Sequence, residues 1–230
     1  MLRDTERTSH GADSRGTRLD GEAMRLRAWD LTIERAGRRV ISGLSFEAAA
    51  GVALIVTGPN GAGKTSLLRA LAGFLPIEAG RFVLEGGDTE RMVGEQAHYL
   101  GHADGVKAAL TAGENLAFAA AMLGGDSSRA AQVGALSALG LAHVIDFPTR
   151  LLSAGQRRRV ALARLMVAKR PLWLLDEPTT ALDAAAQSAL AAIMEAHLKG
   201  GGILVAAVHA PLGLDGAQEL RLEATTGAAA

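Results

Sequence analysis

Val52-Ala-Leu-Ile-Val-Thr57-Gly58-Pro-Asn-Gly-Ala-Gly63-Lys64-Thr65 is the stretch that decides the fold. Its first half is a continuous apolar, β-branched run, as expected of a parallel strand covered on both faces. Its second half fits G-x-x-x-x-G-K-S/T without a mismatch, and residues 64–72 continue with helical periodicity. The glycines let successive backbone N–H groups turn inward as a cradle for an anion. The helix that follows points the positive end of its dipole into that cradle. Gly58, Pro59, Asn60, Gly61, Ala62, Gly63, Lys64, Thr65 and Ser66 are therefore the expected nucleotide contacts. Lys64 is expected at the β- and γ-phosphates and the Thr65 hydroxyl on Mg²⁺.

Outward from this loop, strands are predicted over 24–34, 39–47, 81–84, 97–101, 172–175 and 203–208. Helices are predicted over 64–72, over 155–168, over 184–198 and as a pair within 111–140, split at Gly124 and Gly125. Buried strands alternating with helices predict an α/β fold with a mostly parallel sheet. The purely helical block at 103–153 reads as an insertion into a single domain spanning 24–222. Residues 1–23 are polar and charged and are expected to form a disordered tail, and residues 223–230 a second tail.

Composition narrows the function. The 230 residues carry 24 Lys plus Arg against 24 Asp plus Glu, which supports no broad electrostatic grip on nucleic acid. With 0 cysteines, a disulfide framework, a thiolate metal site and a catalytic cysteine are all excluded. No apolar run is long enough for a membrane-spanning helix, and the N-terminus does not read as a secretory leader. A membrane association would come through a partner.

The phosphate loop alone leaves several nucleotide chemistries open. Leu172-Trp-Leu-Leu-Asp176-Glu177 narrows them, being an apolar strand that ends in two acids. Asp176 is placed to hold Mg²⁺, and Glu177, one residue on, to polarise a water aimed at the γ-phosphate. The run Arg157-Arg158-Arg159 is expected to be a solvated helix face, and His98, His143 and His197 structural or surface residues.

Leu152-Ser153-Ala154-Gly155-Gln156 resembles the signature motif of the ATP-binding-cassette (ABC) ATPases, with Ala154 where glycine is commonest. Ala181-Leu182-Asp183 resembles their D-loop, and His209, after an apolar strand, their switch histidine. The resemblance implies a P-loop, RecA-like core from 24–102 and 154–222, with an antiparallel β subdomain and the 103–153 helical subdomain. It implies ATP hydrolysis in a head-to-tail, ATP-dependent homodimer. Each nucleotide would lie between the phosphate loop of one protomer and Ser153, Gly155, Gln156 and Asp183 of the other. Glu177, His209 and Lys64 would be catalytic, with Thr65 and Asp176 on the metal. Arg35 stands where the family usually stacks an aromatic on adenine, and a guanidinium plane can do the same. His102 stands in place of the Q-loop glutamine, and histidine can also hydrogen-bond a metal-bound water.

These departures resemble one branch of the family, the CcmA ATPases of bacterial cytochrome c maturation. The resemblance is carried by Tyr99-Leu-Gly-His102, Gly105-Val-Lys107, Leu110-Thr-Ala-Gly-Glu114-Asn-Leu116, Pro171-Leu-Trp173 and Ala210-Pro-Leu212. Thr180 departs from an expected phenylalanine and Ala210 from an expected glutamine. The branch implies an integral membrane permease of CcmB type, further cytochrome c maturation proteins, and a peripheral position on the cytoplasmic face of the bacterial inner membrane. The task would be haem export or release of a haem-loaded chaperone. The rival is the ATPase of a different ABC transporter, for a lipid, metal or peptide. His102 and Gly105-Val-Lys107 speak against it. A DNA- or ribosome-directed mechanical ATPase needs a coiled-coil insertion or a second cassette, for which there is no room. A nucleotide sensor without turnover would not need Lys64, Asp176, Glu177 and His209 all intact.

Overall fold

Three runs of the chain are apolar at every position because both of their faces are covered. The computed structural model describes residues 23–223. The tails expected at 1–23 and 223–230 lie, apart from Ala23 and Glu223, outside the described residues. The strands are β1 (Arg25–Arg35), β2 (Arg38–Ala49), β3 (Ala53–Thr57), β4 (Ala79–Glu85), β5 (Ala97–Leu100), β6 (Leu172–Asp176), β7 (Ile203–Ala207) and β8 (Gln218–Arg221). The α-helices are α1 (Lys64–Leu71), α2 (Ala112–Leu123), α3 (Arg129–Ala138), α4 (Ala154–Val167) and α5 (Ala184–Lys199).

One sheet has the order β5-β6-β7-β3-β8, and every neighbouring pair in it is parallel. Successive side chains of a strand point to opposite faces. Leu172 and Leu174 of β6, Leu54 and Val56 of β3, and Ile203 and Val205 of β7 accordingly enter one core. Trp173, Leu175, Leu204 and Ala206 enter the other. The first core is closed by α1 and by an antiparallel sheet of order β2-β1-β4, through Leu26, Ile33, Ile41, Leu67 and Leu71. The second is closed by α4 and α5 and runs on without a break into the helical block, where α2 and α3 pack against α4.

β8 is the element that the sequence reading missed. It adds four residues, Gln218–Arg221, in parallel to the outer edge of β3. Apart from the half-buried Leu220, its side chains are polar and exposed, as suits an edge strand, which is protected from further pairing by being short and charged.

The helical block is set by its caps. Thr111 and Glu114 exchange hydrogen bonds across the first turn of α2, and Gly124 ends that helix in a left-handed conformation. Asn115, buried, bonds the N–H and carbonyl of Lys107 and the carbonyl of Leu110. The loop over 105–110 is thereby laced to α2. Among the described residues, no helix is long and apolar enough to cross a membrane.

Candidate active site

Because β6, β7 and β3 are adjacent and parallel, their carboxyl ends open on one edge of the sheet, where α/β proteins place their ligands. The loop after β3 brings Asn60, Gly61 and Gly63, and the start of α1 brings Lys64, Thr65 and Ser66. The end of β6 brings Asp176 and Glu177, and the end of β7 brings His209. All of them line one cavity of about 170 Å³, with Arg35 from the end of β1 on its rim. Pro59 and Ala62 do not line it. Pro59 offers its carbonyl to Lys64, and the Ala62 side chain is buried in the core beneath the loop.

The start of α1 differs from that of every other α-helix among the described residues. Ser128, Thr111, Ser153 and Asp183 cap α3, α2, α4 and α5 with a side-chain oxygen, whereas α1 has no side-chain cap. It begins at Gly63, whose φ of 98° is open to glycine and strained for other residues, and where a Cβ would lie 2.9 Å from Ile41. The first N–H groups of α1 thus have no side-chain acceptor, which is the arrangement that receives a phosphate. Lys64 Nζ donates to the carbonyls of Gly58 at 2.7 Å and Pro59 at 3.2 Å, across the mouth of the loop.

Thr65 Oγ1 donates to Asp176 Oδ2 at 2.8 Å. Burial pushes the Asp176 carboxyl up, with the Thr65 hydrogen bond pulling it down, neighbouring Glu177 adding to the rise, and His102 and Arg158 opposing it. A desolvated carboxylate beside a hydroxyl is a pair of hard oxygen donors, which fits a small hard dication such as Mg²⁺.

Glu177 is held in an uncommon conformation. Its φ is 47°, left-handed and not a glycine, at a typical cost of about 1–3 kcal/mol. Its N–H donates to Ala207 O at 2.9 Å. Its carboxylate sits between His209 Nε2 at 3.3 Å and Thr180 Oγ1, also at 3.3 Å. Thr180, which departs from the expected phenylalanine, therefore supplies a donor to this carboxylate.

The remaining predicted residues lie elsewhere. His102 is exposed just beyond β5 and does not line the cavity, although Asp176 feels its charge. Ser153 caps α4, accepting from Gln156 N–H while the Gln156 side chain accepts from Ser153 N–H. The Ser153 hydroxyl keeps its own hydrogen for another acceptor. Gly155 fits tightly under Ala181, since a Cβ there would lie 2.8 Å from Ala181 O. The signature and the turn before Asp183 thus form one surface, exposed at Ser153 and Asp183 and separate from the phosphate cavity.

The arginine run is corrected. Arg158 is 3% exposed and binds backbone carbonyls at the ends of β5 and β6. Arg157 bonds Leu152 O, and Arg159 bonds Leu139 O at 3.2 Å. Three consecutive helical residues fan over about 200°, so they cannot all face water on a helix packed on two sides. That geometry was the available signal. His98 and His197 are structural, as expected. His98 Nε2 lies 2.7 Å from Ala168 O, and His197 stacks on Trp173 with ring centroids 3.9 Å apart.

Residues 41–180 match the ABC transporter family. A relative from Nitrobacter winogradskyi, the cytochrome c biogenesis ATP-binding export protein CcmA, is 57% identical over 199 residues, 86% of this chain and 98% of its own. The protein of that name from Nitrobacter hamburgensis is 57% identical over 206 residues, 88% of this chain and all of its own length (100%). Among solved structures, an ABC transporter ATP-binding protein from Pyrococcus furiosus superposes with a TM-score of 0.76 at 22% identity, covering 86% of this chain and 97% of that one. A bacterial Atm1-family ABC exporter with ATP bound gives 0.73 at 25% identity, covering 91% of this chain and 39% of that one.

Proposed function

The chain belongs to the ABC transporter ATP-binding family, among its CcmA members, and from that premise we propose that it is the ATP-hydrolysing subunit of a membrane complex acting in c-type cytochrome biogenesis. Its task is haem export or the release of a haem-loaded chaperone. The observation that carries the catalytic part is the convergence of Lys64, Thr65, Asp176, Glu177 and His209 on one cavity at the carboxyl edge of a parallel sheet.

ATP lays its phosphates along the loop from Gly58 to Ser66, with Arg35 against the base. Lys64 exchanges its two loop carbonyls for phosphate oxygens. Thr65 and Asp176 would hold Mg²⁺, which would supply positive charge against the phosphates. Glu177 accepts the proton of the water that attacks the γ-phosphate, and His209 orients the Glu177 carboxylate and reaches the same phosphate. The γ-phosphate is completed from a second copy of the chain, through Ser153, Gly155 and Gln156, with Asp183 beside them. In that ATP-dependent homodimer the closed state engages both surfaces and the open state only one, so ATP favours closure. His102, at the start of the helical block, reports phosphate occupancy to the segment 103–116.

That segment borders a groove of about 370 Å³ between the parallel sheet and the helical block. Phe74, Phe118 and Met122 stand in it at 62%, 46% and 70% exposure, with Lys107 Nζ 4.7 Å from the Phe118 ring centroid. Contiguous exposed apolar side chains of this size mark a protein partner. The partner here is an integral permease of CcmB type, which holds the ATPase on the cytoplasmic face of the inner membrane.

Affinity purification from native membranes in mild detergent tests the assignment. Recovery of a CcmB-like protein with other maturation proteins is the expected result, and Phe118→Asp should abolish it without altering the ATPase rate of the isolated subunit. Recovery of an unrelated permease would overturn the cytochrome c assignment and leave the ATPase mechanism standing.

A further inference from the structure

Arg158 is a buried cation to which the proposed catalytic scheme gives no work. Its position is peculiar in what it joins. Nη2 donates to the carbonyls of Asp176 at 3.1 Å and Glu177 at 2.8 Å. Nη1 donates to the carbonyl of Gly101 at 2.9 Å and lies 3.3 Å from Asp104 Oδ1. One guanidinium therefore holds the end of β6, the peptide that leads into His102, and the segment that enters the helical block. It does so from α4, five residues after the Ser153 cap. Arg164, further along α4, extends the same attachment by donating to Gly105 O at 3.3 Å.

The placement is costly for a residue that merely fills the core. The side chain is taken out of water, its ion pair among the described residues is with the partly exposed Asp104 carboxylate, and its charge also reaches Asp176. Among the described residues its Nε has no hydrogen-bond partner. The carbonyls it binds are the reason for the position. The backbone of Glu177 is fixed on both sides of Cα, its N–H by Ala207 O and its carbonyl by Arg158 and by Thr180 N–H. These bonds maintain the left-handed turn at φ 47° that aims the carboxylate at His209.

We infer that Arg158 is a positioning residue for hydrolysis, locking the aim of Glu177 to the placement of α4 and of the His102 segment. A shift of α4 when the signature meets a second protomer then moves the Glu177 carbonyl directly, through one rigid fork. Lysine offers a single flexible ammonium in place of the planar pair of donors and cannot hold the two strand ends in register. The inference rests on the reading of Glu177 as the base.

Its test is the split between nucleotide affinity and turnover in the full chain. Arg158→Lys should lower kcat by about 10- to 100-fold, the usual penalty for a misplaced catalytic group. The Kd for ATP, read with a fluorescent analogue, should stay within about twofold, because the phosphate loop is untouched. In Arg158→Ala, added guanidinium at millimolar concentration should raise kcat without changing Kd. An Arg158→Lys chain with wild-type kcat overturns the inference. So does one that fails to fold, or that loses affinity and turnover together, since either result makes Arg158 a structural residue only. Glu177→Gln, measured in parallel, separates the two readings. Its inactivity beside an unaffected Arg158→Lys overturns the clamp alone, whereas wild-type turnover in Glu177→Gln overturns the base and the clamp with it.

Discussion

The phosphate loop and the signature surface are both helix starts, and they are finished in opposite ways. α1 begins bare at Gly63, with no side-chain cap, in a cavity walled by strand ends. α4 begins with a complete capping box between Ser153 and Gln156, on a surface exposed at Ser153 and outside that cavity. In the proposed homodimer the first would surround an anion and the second would touch it from a single side, so that each would be half of a site. The comparison separates the variants as well, because a change at one half should be rescued only by the intact half of another chain.

The largest effect belongs to the strand-end half. Glu177→Gln should lower ATP turnover by about 10²- to 10⁴-fold, the range of a lost general base. ATP binding and the ATP-dependent dimer should persist, which equilibrium binding and size-exclusion chromatography with ATP would read. A normal rate would remove Glu177 from the mechanism and with it the asymmetry between the halves.

Lys64→Ala comes next. Removing a charged donor to phosphate should cost about 1.5–3 kcal/mol of binding, or roughly 10- to 100-fold in Kd. Mixing this chain with Ser153→Arg sharpens the comparison, because a mixed dimer contains one site with both lesions and one with neither. Turnover should return in the mixture and in neither variant alone. Failure of the mixture to recover would argue that both surfaces serve the same protomer.

His98 lies outside both halves and ties the parallel sheet to α4, since it lies on β5 and bonds Ala168 at the end of α4. Burial lowers its pKa from 6.5 to about 4, with Arg170, Arg164 and His197 adding to the fall and the Ala168 hydrogen bond opposing it. The folded chain therefore holds this proton less well than the unfolded chain. The stability is present above pH 6.5 and is lost as the pH falls toward 4. Between pH 7 and pH 5 this one group should remove about 2 kcal/mol. Thermal melts over that interval should show the loss in the wild type and a flatter dependence in His98→Gln. Equal slopes would remove His98 from the account.

What was legible in the sequence divides along the same line. The strand-end half could be read because a strand covered on both faces must be apolar throughout, and because the glycine loop and the paired acids follow such strands directly. The signature surface was legible only through resemblance, since Ser153 to Gln156 alone spells nothing more than a helix cap. The edge strand β8 escaped because three polar residues around a single leucine carry no apolar alternation. The left-handed turn at Glu177 escaped because no glycine announces it. Its holding contacts come from Ala207 and Arg158, which are distant in the chain. Arg158 itself was hidden among three arginines whose directions depend on what α4 packs against.

Ser153→Ala gives the smallest expected effect and the most discriminating one. As a cap, Ser153 accepts one N–H bond at 3.2 Å, and its loss should lower stability by about 1 kcal/mol, visible in the melting temperature of the monomer. As a phosphate donor in the other protomer, it should also weaken ATP-dependent dimerisation while leaving ATP binding to the monomer unchanged. Ser153→Asp separates the two roles, because aspartate caps a helix as well as serine does but sets a negative charge against the γ-phosphate. The alanine variant should therefore lose both some stability and some dimer, and the aspartate variant should keep its stability and lose the dimer. If the aspartate chain dimerises normally with ATP, Ser153 is only a cap, and the second half of the site must be sought on another surface.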